Sequence, residues 1–204
     1  MIKLKDILVE RVSDIVYHFT EPGWAYSILM QNKFKLQQVP VGADYQGLVN
    51  LGKKYDKGYY MSVARTKVEG FTRINEMKCT NVRLELNGTK LSQRYKGGAY
   101  DAFPQYQGEY EYEEFEDRIY SRTEFIPSAL DYIKRIDINK TGWCMDITIH
   151  SKDTIDLIWA STKLSIPTFV YTDKNKFFQQ SGGIEITDVK EYKQLLKTMK
   201  QGKR

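Results

Sequence analysis

The 204-residue chain has few of the residues from which most recognisable sites are built: two Cys, two His, five Pro and three Trp. Cys79 and Cys144 form neither a CxxC pair nor a Cys/His metal spacing, which excludes a zinc module and a disulfide framework. Neither His18 nor His150 lies beside a nucleophile motif such as G-x-S-x-G, and no P-loop is present, which excludes a Ser/His/Asp hydrolase and a P-loop nucleotidase. No segment approaches the roughly 20 apolar residues of a membrane span. The opening MIKLKDILVERVSDIVYHF lacks the apolar run of a signal or anchor, so a soluble, reduced, cytoplasmic protein without a membrane partner is expected. Internal repeats, low-complexity linkers and compositional breaks are absent too, and a single domain over residues 1–204 is expected.

What is present is a core and a great deal of tyrosine. Hydrophobic residues make up 41% of the chain and aromatics 13%, enough to exclude wholesale disorder. Tyr outnumbers Phe by 15 to 9. Its apolar body and polar tip suit half-buried strands and nucleotide-binding surfaces alike. The net charge of +5 favours an acidic partner such as nucleic acid, but much of the excess sits in KQLLKTMKQGKR, where a solvated helix end explains it equally well.

The order of segments predicts an α+β fold. Residues 14–20 are β-branched and aromatic and read as a buried strand. Glu21-Pro22-Gly23 then turns the chain into a short helix ending near Asn32. The five residues Pro40, Gly42, Gly47, Gly52 and Gly58 make 39–58 an extended loop. Tyr59 to Ala64 is a strand, and 81–86 alternates with Val82, Leu84 and Leu86 on one face and Arg83 and Glu85 on the other. Asn87-Gly88 is a turn signal, and 95–109 reads as a loop studded with aromatics. Strands are expected at 115–121, 135–138, 145–150 and 168–171. Helices are expected at 126–134, 154–163 and 187–200.

Several residues carry chemistry. His18 closes an apolar strand, where an imidazole can bond a ribose hydroxyl or a carboxamide; a buried His satisfied by a backbone carbonyl is the plainer alternative. Arg65 follows the strand at 59–64 and can clamp a pyrophosphate or orient a carboxylate, or simply lie on the surface. Tyr59 and Tyr60 alternate faces, so one of them can stack on a ring. Six acids crowd Glu109 to Asp117, and Glu114 competes with Glu116 for any catalytic role. A solvated acidic edge is the alternative for all six.

Together these segments resemble the ADP-ribosyltransferase superfamily, and its DarT-type branch that modifies nucleic acid bases. The resemblance covers about residues 14–140 and rests on Tyr17-His18-Phe19-Thr20 leading to AYSILMQNKFKL, on Tyr59-Tyr60 preceding Arg65, and on Glu116-Asp117-Arg118-Ile119 leading to Ile126-Pro127 and Ile133, Ile136 and Ile138. Residues 141–204 have no assigned role. The resemblance implies split mixed and antiparallel sheets with flanking helices, and NAD as co-substrate without a metal. It implies His18, Thr20, Tyr59, Tyr60 and Ser62 around NAD, and Glu116 with Arg65 as catalytic groups. Tyr100, Phe103, Tyr106 and Tyr110 would stack on the bases of a DNA or RNA acceptor. It also implies a toxin or phage-conflict effector held by an antitoxin. A protein-modifying transferase or NAD glycohydrolase shares the same site, and a non-enzymatic nucleic-acid-binding protein is the alternative without NAD.

Overall fold

The computed structural model describes residues 12–38, 58–65, 81–100, 116–140 and 152–201. In chain order these form β1 (Ile15–Thr20), α1 (Pro22–Gln31), β2 (Lys33–Lys35), β3 (Gln37–Gln38), β4 (Tyr59–Ala64) and β5 (Val82–Asn87). Next come α2 (Gly88–Ser92), β6 (Lys96–Tyr100), β7 (Glu116–Ser121), β8 (Phe125–Pro127), a 3-10 turn (Ala129–Asp131) and β9 (Ile133–Asn139). The chain continues through α3 (Lys152–Lys163), β10 (Thr168–Tyr171), α4 (Lys174–Gln179), β11 (Ile184–Glu185) and α5 (Val189–Gln201). The class is α+β, as expected.

The described strands form a nine-stranded sheet in the order β11-β10-β9-β5-β1-β4-β7-β6, with β3 added to β4, and a separate two-stranded sheet of β2 and β8. The β9–β10 pair is parallel and the other pairs are antiparallel. Helix α3 lies between β9 and β10 in the chain, the long connection a parallel pair needs.

Strand alternation gives this sheet two very different faces. On one, Val16, Val63, Val82, Leu84, Ile119, Ile136 and Val170 belong to a buried core with Ala25, Ile28 and Leu29 of α1 and Leu157 and Ile158 of α3. Tyr192 and Leu196, at i and i+4, bring α5 into the same core. Asp188 starts α5 by accepting from the amides of Lys190 and Glu191.

The opposite face holds a buried ionic cluster. Arg83 and Asp137 are both fully buried, opposite one another on β5 and β9. The Arg83 Nε and Nη2 atoms donate to Asp137 Oδ2 at 3.0 and 2.6 Å. Arg135 Nε and the Tyr171 hydroxyl donate to Oδ1 at 2.7 and 3.2 Å, and Gln180 donates to Oδ2 at 3.0 Å. The carboxylate is thus saturated, which lets a charge survive away from water. The Arg83 guanidinium lies between two rings, 4.4 Å from Phe177 of α4 and 5.6 Å from Tyr17 of β1.

Two sequence expectations are corrected, and two elements were not foreseen. Residues 126–134 form no α-helix: Ile126 and Pro127 belong to β8, paired with Phe34 and Lys33, Ser128 turns into the left-handed region at φ 58°, and a single 3-10 turn leads into β9. Pro127 lacks an amide to extend a ladder, so this two-stranded sheet stays short. Residues 96–100 are a strand rather than a loop, paired with β7 along its length. At Asn87-Gly88, the expected turn, the chain passes directly from β5 into α2. Asn87 caps α2 by accepting from the Lys90 amide at 2.9 Å, and a Cβ on Gly88 would collide with the Ser13 carbonyl oxygen. Helix α4 and strand β11 were not foreseen, because six residues are too few to show a helical period. The expected loop at 39–57 and the strand at 145–150 lie outside the described residues.

Removing one partner of the Arg83–Asp137 pair should strand the other charge. Arg83→Leu is expected to cost about 3–5 kcal/mol in urea unfolding. Lys35→Ala, which breaks the exposed Lys35–Glu124 contact, should cost no more than about 1 kcal/mol. Equal midpoints for the two variants would mean the buried pair contributes nothing net.

Candidate functional site

The three segments singled out in the sequence become the three adjacent strands β1, β4 and β7. Tyr17 pairs with Ala64, and Ala64 pairs on its other side with Glu116, which in turn pairs with Tyr100 of β6. One row therefore crosses four strands. Tyr17↔Ala64 is the one pairing recorded between β1 and β4, whereas β1 pairs with β5 from Ile15 to Thr20. Beyond Tyr17, β1 and β4 part, and β3 takes the edge of β4 at Tyr59 and Tyr60.

His18 stands at this parting. Its Nδ1 donates to the Ser62 carbonyl at 3.1 Å, replacing a ladder bond with a side chain, and its ring meets Phe34 edge-on with centroids 6.1 Å apart. Burial lowers its pKa below the ordinary histidine value and outweighs the carbonyl bond, which acts the other way. The imidazole is therefore neutral at pH 7, able to donate to Ser62 without adding a charge to the core face.

Arg65 does not extend toward open solvent. Its Nε donates to Asp117 Oδ1 at 2.6 Å, and Asp117 Oδ2 accepts from the Ser13 amide at 3.1 Å. A carboxylate it steadies is thus Asp117, almost fully buried and next to Glu116 in the chain. A second arginine is placed differently: Arg118, opposite Ser62 on β7, lies over the Tyr60 ring at 4.4 Å. Nothing in the sequence motif singled out Asp117 or Arg118, since both sit in a dense charge cluster.

Alternation divides the residues expected around NAD. His18, Thr20 and Tyr59 lie on the core face with Val16, Met61 and Val63, while Tyr60 and Ser62 lie on the face of Tyr17 and Arg118. The two groups flank the parting of β1 and β4 from its two sides. Thr20 is buried, and Tyr59, Tyr60 and Ser62 are half-buried. Glu116 opens β7, in the row of Tyr17. Tyr100 ends β6. Phe103, Tyr106, Tyr110, Glu114 and His150 lie outside the described residues.

The Asp137 cluster was also missed. Its signal was a matched spacing: Arg83-x-Glu85 on one apolar strand and Arg135-x-Asp137 on another, which place opposite charges across the β5–β9 ladder. Among the described residues, no group of three or more His, Cys, Asp and Glu is arranged to hold a metal, and no helix is long and apolar enough to cross a membrane. No protein-family model, curated protein or solved structure matches this chain.

His18 gives the site a pH dependence with a definite sign. In the unfolded chain it takes up a proton near pH ~6.5, and in the native state only at lower pH. Its contribution to stability is therefore complete above about pH 6.5 and is lost as the pH falls toward the native value. The urea midpoint should drop between about pH 7.5 and pH 5.5 in the wild type, and drop less in His18→Gln. Parallel pH profiles for the two proteins would assign the loss to other groups.

Proposed function

We propose that this chain is an NAD-dependent ADP-ribosyltransferase of the DarT-like type, with a nucleic acid base as acceptor. The observation that carries the reading is the strand order: segments far apart in the sequence lie side by side as β1, β4 and β7, with Tyr17, Ala64 and Glu116 in one row. The parting of β1 and β4 beyond that row supports a split-sheet arrangement of the transferase kind, with NAD entering between the strands.

In this reading His18 and Thr20 hold the nicotinamide-side ribose or carboxamide from the β1 side. Tyr60 and Ser62 line the β4 side, and Tyr59 joins His18 and Thr20 on the core face. The bond from ribose C1′ to nicotinamide breaks, leaving positive charge on C1′ and the ring oxygen. Glu116 stabilises that charge through the adjacent 2′-hydroxyl, as carboxylates do in glycoside hydrolysis. The acceptor base forms the new bond to C1′ and gives its proton to the Glu116 carboxylate, general-base help worth typically ~10²–10⁴-fold. Arg65 acts through Asp117, fixing the start of β7, the strand that Glu116 opens. Tyr100, with Phe103, Tyr106 and Tyr110, stacks on acceptor bases, each contact worth ~1–3 kcal/mol. A DNA or RNA acceptor accords with the +5 charge of the chain.

The test is transfer of label from adenylate-labelled NAD to DNA, RNA and cellular protein, by wild type and by Glu116→Ala. Label in nucleic acid with wild type only, and a variant with an unchanged unfolding midpoint, is the expected outcome. Label in protein would move the acceptor to the protein-modifying class. Nicotinamide release without label would make the chain an NAD glycohydrolase. No turnover at all, with folded protein, would overturn the reading.

A further inference from the structure

Helix α4 has no part in the proposed chemistry, yet it is tied to the strand that carries His18. Phe177 and Phe178 form a separate aromatic cluster with Tyr171, the Phe177 ring lying 5.4 Å from Phe178 and 5.5 Å from Tyr171, and Phe19 of β1 packs against it. Phe177 also backs the Arg83 guanidinium, whose other side faces Tyr17. At the end of the helix, Gln180 adopts the left-handed region at φ 57°, and its side-chain amide donates to Glu85 at 2.8 Å and to Asp137 at 3.0 Å. These contacts are made on the sheet face away from the main core.

The two β1 residues reached in this way, Tyr17 and Phe19, flank His18. Tyr17 is also the β1 residue paired with β4, and the strands part just beyond it. On the side facing β4, the stretch from His18 to Thr20 has the His18–Ser62 bond in place of ladder pairing. It is also held by β5 on the other edge, by the His18–Phe34 contact on the core face, and by the α4 cluster on the far face. We infer that α4 is a brace for the parting of β1 and β4: docked through Phe177, Phe178 and Gln180, it fixes Tyr17 and Phe19 and so sets the width of the opening next to His18. Gln180 and Phe178 are then positioning residues, acting through Asp137 and Phe19.

The fold makes this brace separable. Asp137 keeps Arg83, Arg135 and Tyr171 when Gln180 is truncated, and the main core lies on the opposite face. Loosening α4 should therefore release the opening locally, without unfolding the sheet.

The inference bears on NAD only through the transferase reading, so its test reads the strands directly and without NAD. Amide hydrogen exchange would be followed for peptides covering 16–20, 59–65, 152–163 and 174–180 in wild type, Gln180→Ala and Phe178→Ala, with Phe178→Leu as the conservative control. Exchange at 16–20 and 59–65 is expected to rise about fivefold to tenfold in Gln180→Ala, the scale of losing one net hydrogen bond. It should rise further in Phe178→Ala and return toward wild type in Phe178→Leu, with 152–163 unchanged throughout. Release of α4 alone, with 16–20 and 59–65 as protected as in wild type, would overturn the brace. So would a uniform rise over all four peptides, the mark of global destabilisation. Either result leaves the label-transfer outcome for Glu116→Ala untouched, so failure of the brace and failure of the transferase reading are distinguishable.

Discussion

A fully buried arginine and a fully buried aspartate face one another across β5 and β9, and the far face of the sheet is organised around them. Two charges taken from water are tolerable only if the lone pairs and protons left over find partners. Here the demand is met from four directions. Arg83 supplies two N–H groups, Arg135 a third, Tyr171 a hydroxyl and Gln180 an amide. The partners come from β5, β9, β10 and the end of α4, so satisfying one carboxylate fixes how those elements stand. An apolar face would hold them through area alone, with less demand on register.

The two faces do different work. The core face is built of branched aliphatic side chains against α1 and α3, and hydrophobic burial drives its formation. The polar face adds directional bonds and stacked cations: Arg83 between Tyr17 and Phe177, Arg135 over Phe169 at 3.6 Å, and Arg118 over Tyr60 at 4.4 Å. Three arginines on one sheet face each use an aromatic ring as the surface on which the guanidinium lies. A planar, weakly hydrated cation can lie flat on a ring, which the compact, strongly hydrated lysine ammonium cannot.

At the centre of the sheet, this order gives way. β1 is held along its length by β5 but meets β4 at Tyr17, after which His18 spans the gap to the Ser62 carbonyl. A neutral imidazole is a fitting bridge, since it donates one directional bond and brings no charge to the core side. Arg65, Asp117 and Ser13 secure the other end of the same region, where β4 ends and β7 begins.

The sequence by itself determined the α+β class, strands β1, β4, β5 and β10, and helices α1 and α3, because alternation, β-branching and a proline-started turn are local signals. It also marked His18, Tyr60, Ser62 and Glu116, and the neighbourhood of their strands follows from the fold. Only the tertiary structure decided which side of the sheet each residue takes. It gave Arg65 to Asp117, placed Tyr60 beneath Arg118, and divided the expected helix at 126–134 among β8, a 3-10 turn and the start of β9. It made Arg83, which alternation alone puts on a polar face, one of the most buried side chains of the chain. The reason is physical. Periodicity reports which residues share a face, but whether that face meets water, a helix or an opposite charge depends on segments far along the chain.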